Sequence, residues 1–79
     1  MNEQRLKKCF VETLGLPPET VTDSLTYNSI KQWDSVGHMS LVAALENEFN
    51  VMLDTDDIIA MSSVAVARQI LAKHGVSFA

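Results

Sequence analysis

The sequence is poor in the residues on which most small catalytic or cross-linked domains depend. It has one cysteine, Cys9, so no internal disulfide can form, and a reducing, cytoplasmic location is expected. Three glycines and two prolines leave no glycine-rich phosphate loop, no repeat and no low-complexity tract. The longest hydrophobic run, Leu41–Leu45, is far shorter than the roughly 20 residues of a membrane-spanning helix. No basic stretch followed by an apolar one opens the chain, so no secretory signal is expected. Base is missing too, from the middle of the chain. Residues 34–67 contain no lysine or arginine but six acids: Asp34, Glu46, Glu48, Asp54, Asp56 and Asp57. The net charge of −4 therefore hides a neutral segment over residues 1–33, a centre at −6 and a tail at +2. Nucleic-acid affinity rests on clustered Lys and Arg, so that class of partner is excluded. The acidic centre points instead to basic patches on protein partners, or simply to a solvated surface.

What is present is helical pattern. The 79 residues are 47% hydrophobic and 20% charged, which fits one small globular domain over residues 1–79. Asn2 is placed to cap a first helix in which Leu6, Phe10 and Leu14 recur every four residues beside Cys9, with Arg5, Lys8 and Glu12 opposite. Gly15 and Pro17–Pro18 end it. A long irregular stretch follows, in which Val21, Leu25, Tyr27, Ile30 and Trp33 recur as anchors among turn formers. A second helix is expected from Asp34–Ser35 to about Asn50, with Leu41, Val42, Leu45 and Phe49 on its core face and Met39 at the edge. Val36, Ser40, Ala43 and Asn47 fall on the outer face. Asp54 or Thr55 caps a short third helix carrying Ile58, Ile59 and Met61; Ser62 or Ser63 caps a fourth that ends near Gly75. The expected architecture is all-α: a small four-helix bundle, three longer helices and a short third one, with a long first connection.

Metal and catalytic readings fail on spacing. Cys9, His38 and His74 lie on three different elements. Asp54–Thr55–Asp56 opens like a calcium loop, but Ile59 stands where that loop needs glycine and Ala65 where it needs glutamate. Asp34, Ser35 and His38 have the residue types of a nucleophilic triad, yet lie within one helix start with no pocket around them. No enzyme activity is expected. The remaining feature is Asp34–Ser35, a serine at a helix start, where unpaired N–H groups and the dipole favour a phosphate ester. The plainer alternative is a helix cap.

The run Asp34–Ser35–Val36–Gly37–His38–Met39–Ser40–Leu41–Val42, continuing through Ala44–Leu45–Glu46–Asn47–Glu48–Phe49, resembles the Asp–Ser–Leu motif and second helix of acyl carrier proteins. The likeness covers nearly the whole chain. It implies that Ser35 becomes a 4′-phosphopantetheine ester, formed by a phosphopantetheinyl transferase from coenzyme A with magnesium, and that the arm's thiol carries acyl groups as thioesters. It implies that Asp34 caps the helix and offers the transferase an acidic contact. Val36 and Ala43 match apolar partner-contact positions, with Glu46, Glu48, Asp56 and Asp57 supplying charge to acyl-loading and acyl-transferring enzymes that bear basic patches. The chain itself would catalyse nothing, and nothing indicates more than a monomer. Fatty-acid, lipid or polyketide-type biosynthesis is the implied setting. A peptidyl or aminoacyl carrier and an unmodified helical interaction module remain as alternatives.

Four departures from the family pattern, Gly37 and Ser40 where the resemblance leads one to expect acids, Val36 for leucine and Trp33 before the motif, suggest a dedicated carrier rather than a housekeeping one. Gly37 is read as tolerated near a frayed helix start, at a cost of about 0.5–1 kcal/mol relative to alanine, or as allowing close approach of a partner. His38 is read as packing at the end of the bundle. The five alanines Ala43, Ala44, Ala60, Ala65 and Ala67 leave open whether the core is loose enough to shelter a chain.

Overall fold

In the computed structural model, which describes residues 2–78, four helices follow one another: α1 (Asn2–Leu14), α2 (Ser35–Phe49), α3 (Thr55–Ala60) and α4 (Val64–Lys73). There is no strand among the described residues; the one β-type contact is an isolated bridge between Thr26 and Ser63. Each boundary has a local cause. Gly15 adopts φ +67° after α1, and Asn50 adopts φ 53° after α2, where its N–H reaches the Glu46 carbonyl. Asp54 and Ser63 cap α3 and α4, accepting from the N–H of Asp57 (2.8 Å) and Val66 (3.1 Å). Asn2 departs from the expected cap. It lies inside α1, where its oxygen accepts from Arg5 Nη1 and its amide donates to the Ser77 carbonyl, both at 2.8 Å.

The apolar faces meet in one core. Leu6, Phe10, Trp33, Leu41, Leu45, Ala67 and Leu71 are fully buried, with Leu14, Leu25, Leu53, Val64 and Met61 beside them. The long connection lies over this core instead of looping free. Pro18–Thr20 forms a single 3-10 turn, after which Val21 and Leu25 plug in. Tyr27 N–H then donates to Ser62 O (2.9 Å) and Val64 N–H to Leu25 O (3.1 Å), fastening the segment to the start of α4. Trp33 ends it under the first turn of α2, edge-on to Phe10 at 5.2 Å. Arg68 adds a further tie from α4, pairing at 2.7 Å with both Glu3 on α1 and Asp23 in the connection.

Several apolar side chains sit farther out than their pattern predicts. Met39 is 55% exposed and Ile59 76%, while Tyr27 only half covers itself against Trp33 and His38. Helix α3 has only six residues, so Ile59 is turned away from the one face it buries.

Candidate functional site at the start of the second helix

Asp34 has extended backbone (φ −103°, ψ −168°) and its Oδ1 accepts the Gly37 N–H at 2.8 Å, while its carbonyl accepts the His38 N–H at 2.7 Å. Those two bonds start the helix and leave the N–H groups of Ser35 and Val36 beyond the reach of any carbonyl of the same helix. Ser35 is exposed at this first position, and Val36 beside it is 74% exposed. An exposed hydroxyl thus stands at the positive end of a 15-residue helix, with no side chain of the described residues bonded to it. That environment fits a phosphate ester, whose negative charge it would stabilise.

What holds the serine in place lies on either side of it. Trp33, two residues before, is fully buried, and its Nε1–H donates to His38 Nδ1 at 2.9 Å. With Nδ1 accepting, the proton of the neutral ring sits on Nε2 and is donated to the Ile58 carbonyl of α3 at 2.8 Å. Trp33 and His38 also stack, 6.1 Å apart and inclined by 19°. His38 packs as the sequence suggested. Gly37 does not match either of its expected readings. A Cβ built there would lie 2.2 Å from the Gln32 backbone carbonyl and 3.1 Å from Leu14 Cδ2. The glycine is needed because the segment leading to Trp33 passes directly against the first turn of α2.

The acids resolve into separate roles. Asp34 and Asp54 are caps. Glu46 accepts the Leu53 N–H at 2.9 Å, bridging from α2 to the following segment. Glu48 pairs with Arg5 of α1 at 2.7 Å, which holds its carboxyl below the ordinary value. Asp57, expected to face partners, is instead buried, 2% exposed, because it is turned inward onto the end of α4. It binds Lys73 and also His74 Nε2, the latter at 2.7 Å, tying α3 to the end of α4. Lys73 first and His74 second lower its carboxyl to about 2. Among the described residues, Asp56 is the acid of this centre with no such internal partner. Of the partner-facing set, Val36, Ala43 and Asp56 are exposed and unengaged; Glu46, Glu48 and Asp57 serve the fold.

Sequence reasoning missed an apolar recess next to this site, of about 240 Å³, lined by Tyr27, His38, Ile58, Ile59, Met61 and Ser62. Its residues come from three separate segments, and no spacing rule joins them. The chain's own thiol is out of play, since burial, with Glu48 nearby, pushes Cys9 up to about 11. Among the described residues no cluster of ligands could hold a metal, and no helix is long and apolar enough to cross a membrane.

Comparison with known proteins agrees with this geometry. The family described as "Phosphopantetheine attachment site" matches residues 4–67. Acyl carrier proteins of Rhodopseudomonas palustris (strain TIE-1) and Nitrobacter winogradskyi are each 35% identical over 74 residues, covering 94% of this chain and 94% of the relative. A match over most of the chain, at the same length, carries the covalent 4′-phosphopantetheine cofactor and the non-enzymatic role of a carrier with it. The chain belongs to the acyl carrier protein family, with the phosphopantetheine attachment domain extending over most of its length.

Proposed function

We propose that Ser35 is the residue that bears the arm, and that the chain is a monomeric, cytoplasmic carrier serving a dedicated acyl-transferring pathway. The observation that supports Ser35 is its exposed hydroxyl at the open N-terminus of α2, over a buried Trp33 and a capping Asp34. In the loading step Ser35 Oγ forms the bond to the pantetheine-bearing phosphorus of coenzyme A. The pyrophosphate P–O bond breaks, adenosine bisphosphate leaves, and the serine proton passes to a base of the transferase. The chain's own contribution is position. Its capped helix holds Oγ outward, and the free N–H groups of the first turn face the charge of the resulting phosphodiester. Once attached, the arm supplies the thiol on which acyl groups travel.

The partner-facing surface on this reading is α2's outer face, Val36, Met39 and Ala43, with Asp56 as its free acid. Because the other central acids are engaged internally, partners are expected to dock on apolar contact more than on charge. The same surface supports the dedicated role: α2 carries no acid from Ser35 to Leu45, next to the serine, which suits partner enzymes shaped for it. Intact mass after incubation with coenzyme A, magnesium and a broad-specificity phosphopantetheinyl transferase tests the attachment. The parent is expected to gain one arm and Ser35→Ala none. An arm gained by Ser35→Ala would place the attachment elsewhere.

A further inference from the structure

We infer that His38 is a positioning residue for the loading of Ser35, and that it serves only while its ring is neutral. The inference rests on the reading of Ser35 as the arm-bearing residue. Three bonds shape the turn around that serine. The Asp34 carbonyl accepts the His38 N–H at 2.7 Å, Asp34 Oδ1 accepts the Gly37 N–H at 2.8 Å, and the Trp33 indole donates to His38 Nδ1 at 2.9 Å. His38 takes part in two of the three. Its side-chain bond closes residues 33–38 into a ring, with Ser35 within it and the fully buried Trp33 as anchor. The other nitrogen of the same imidazole donates to the Ile58 carbonyl at 2.8 Å, which ties α3 to the serine-bearing turn. A six-residue helix has little stability of its own, so its place is set by such ties. An enzyme that reaches Ser35 while touching Asp56 on α3 needs the two in register.

Neither partner of the ring can exchange roles with it. An indole N–H only donates, and a backbone carbonyl only accepts. His38 must therefore present a bare Nδ1 and a protonated Nε2, which is one tautomer of the neutral imidazole. A second proton would go to Nδ1 and set N–H against N–H, breaking the bond to Trp33 at a residue only 9% exposed. The ionisable groups around it do not offset that charge. Tyr27 meets the ring edge-on at 5.1 Å, and the Asp34 carboxylate is taken by Gly37. On α3, Asp54 holds the Asp57 N–H, Asp57 holds Lys73 and His74 of the α4 end, and Asp56 is exposed. The tie from Asp57 to His74 responds in the opposite sense, because a charged imidazole bonds a carboxylate more strongly. Acid thus loosens α3 from the start of α2 while tightening it on the end of α4. Histidine side chains ordinarily change charge between about pH 5 and 8, which sets the range to examine.

Two substitutions separate the two side-chain bonds. His38→Asn keeps an acceptor at the place of Nδ1, His38→Gln keeps a donor at the place of Nε2, and neither titrates. Parent and one variant are mixed in equal amounts with coenzyme A, magnesium and one broad-specificity phosphopantetheinyl transferase. Intact mass then gives both loading rates from the same tube, and the transferase's own pH dependence cancels from their ratio. The ratio of parent to His38→Asn is expected to fall by about two- to tenfold between about pH 8 and 5.5, the worth of one buried hydrogen bond. The ratio of parent to His38→Gln is expected to approach one in acid. Ratios constant across the range overturn the inference. The parent alone gives a second readout. Trp33 is the sole tryptophan, so its indole N–H is one resolved signal in the ¹⁵N-labelled protein, and it should move with the same midpoint as the His38 ring protons. A ring that titrates while the indole signal stays still, or that does not titrate in the range, overturns the inference without any variant having to fold. A parent that gains no arm at any pH overturns the reading of Ser35 and this role with it, whereas an arm gained at a constant ratio overturns the role alone.

Discussion

Replacing Gly37 by alanine sets two effects of opposite sign against each other. On helix propensity alone, alanine in the first turn of α2 should stabilise the protein by about 0.5–1 kcal/mol. Against this, the new Cβ would lie 2.2 Å from the Gln32 carbonyl oxygen and 3.1 Å from Leu14 Cδ2. The first of those neighbours is backbone, and it leads straight into the fully buried Trp33, so it cannot swing aside as a side-chain end would. Overpacking of a close-packed site typically costs about 1–3 kcal/mol, and a backbone contact this short belongs at the upper end. The net expectation is a loss of about 1–2 kcal/mol, or roughly 5–15 °C in Tm for a domain of this size. Urea and thermal unfolding followed by circular dichroism measure it directly. The same variant should load more slowly with phosphopantetheine, since any shift that relieves the clash moves the turn holding Ser35. A Gly37→Ala protein as stable as the parent, or more so, would refute the close approach as the reason for glycine.

Other consequences are measurable in the same way. Trp33→Ala should cost about 3–5 kcal/mol in urea unfolding, the range for removing a large buried aromatic. Asp34→Ala should cost about 1 kcal/mol through loss of the cap, with loading slowed as the first turn frays. Ser35→Ala should change stability by no more than about 0.5 kcal/mol, because the exposed hydroxyl makes no bond the fold needs. Asp57 titrates at about 2 in the folded chain, against an ordinary 3.8, so the unfolded state takes up the proton first. Its contribution to stability is complete above about pH 4 and is lost as pH falls through about 2. Unfolding followed across that window should show a shallower pH dependence for Asp57→Asn than for the parent.

Much of this structure could be read from local pattern. The approximate helix limits, the cap at Asp34 and the inward stripe Leu41, Leu45 and Val42 depend on residues within a turn or two of each other, where spacing is decisive; at α3 and α4 the pattern left Asp54 or Thr55 and Ser62 or Ser63 open, and Asp54 and Ser63 are the caps. The Asp–Ser pair at a helix start is also a local signal. What could not be read depends on residues far apart in the chain. Glu48 finds Arg5 across 43 positions, and Asp57 finds Lys73 and His74 across 16 and 17, so six adjacent-looking acids gave no hint that several are tethers. The Trp33–His38–Ile58 hydrogen-bond chain is half legible: Trp33 and His38 are five residues apart, but the Ile58 carbonyl is supplied by α3. Gly37 had a readable position and an unreadable reason, since only the path of the preceding segment puts a carbonyl where its Cβ would be.

On this reading one particular hydroxyl, that of Ser35, carries the arm, and the sequence makes its position simple to test. No lysine or arginine lies between Lys31 and Arg68, so trypsin releases residues 32–68 as one peptide containing Ser35, Ser40, Ser62 and Ser63. Fragmentation of that peptide from the loaded protein should place the whole phosphopantetheine mass on Ser35. Finding it on Ser40, Ser62 or Ser63, or on a different peptide, would contradict the claim.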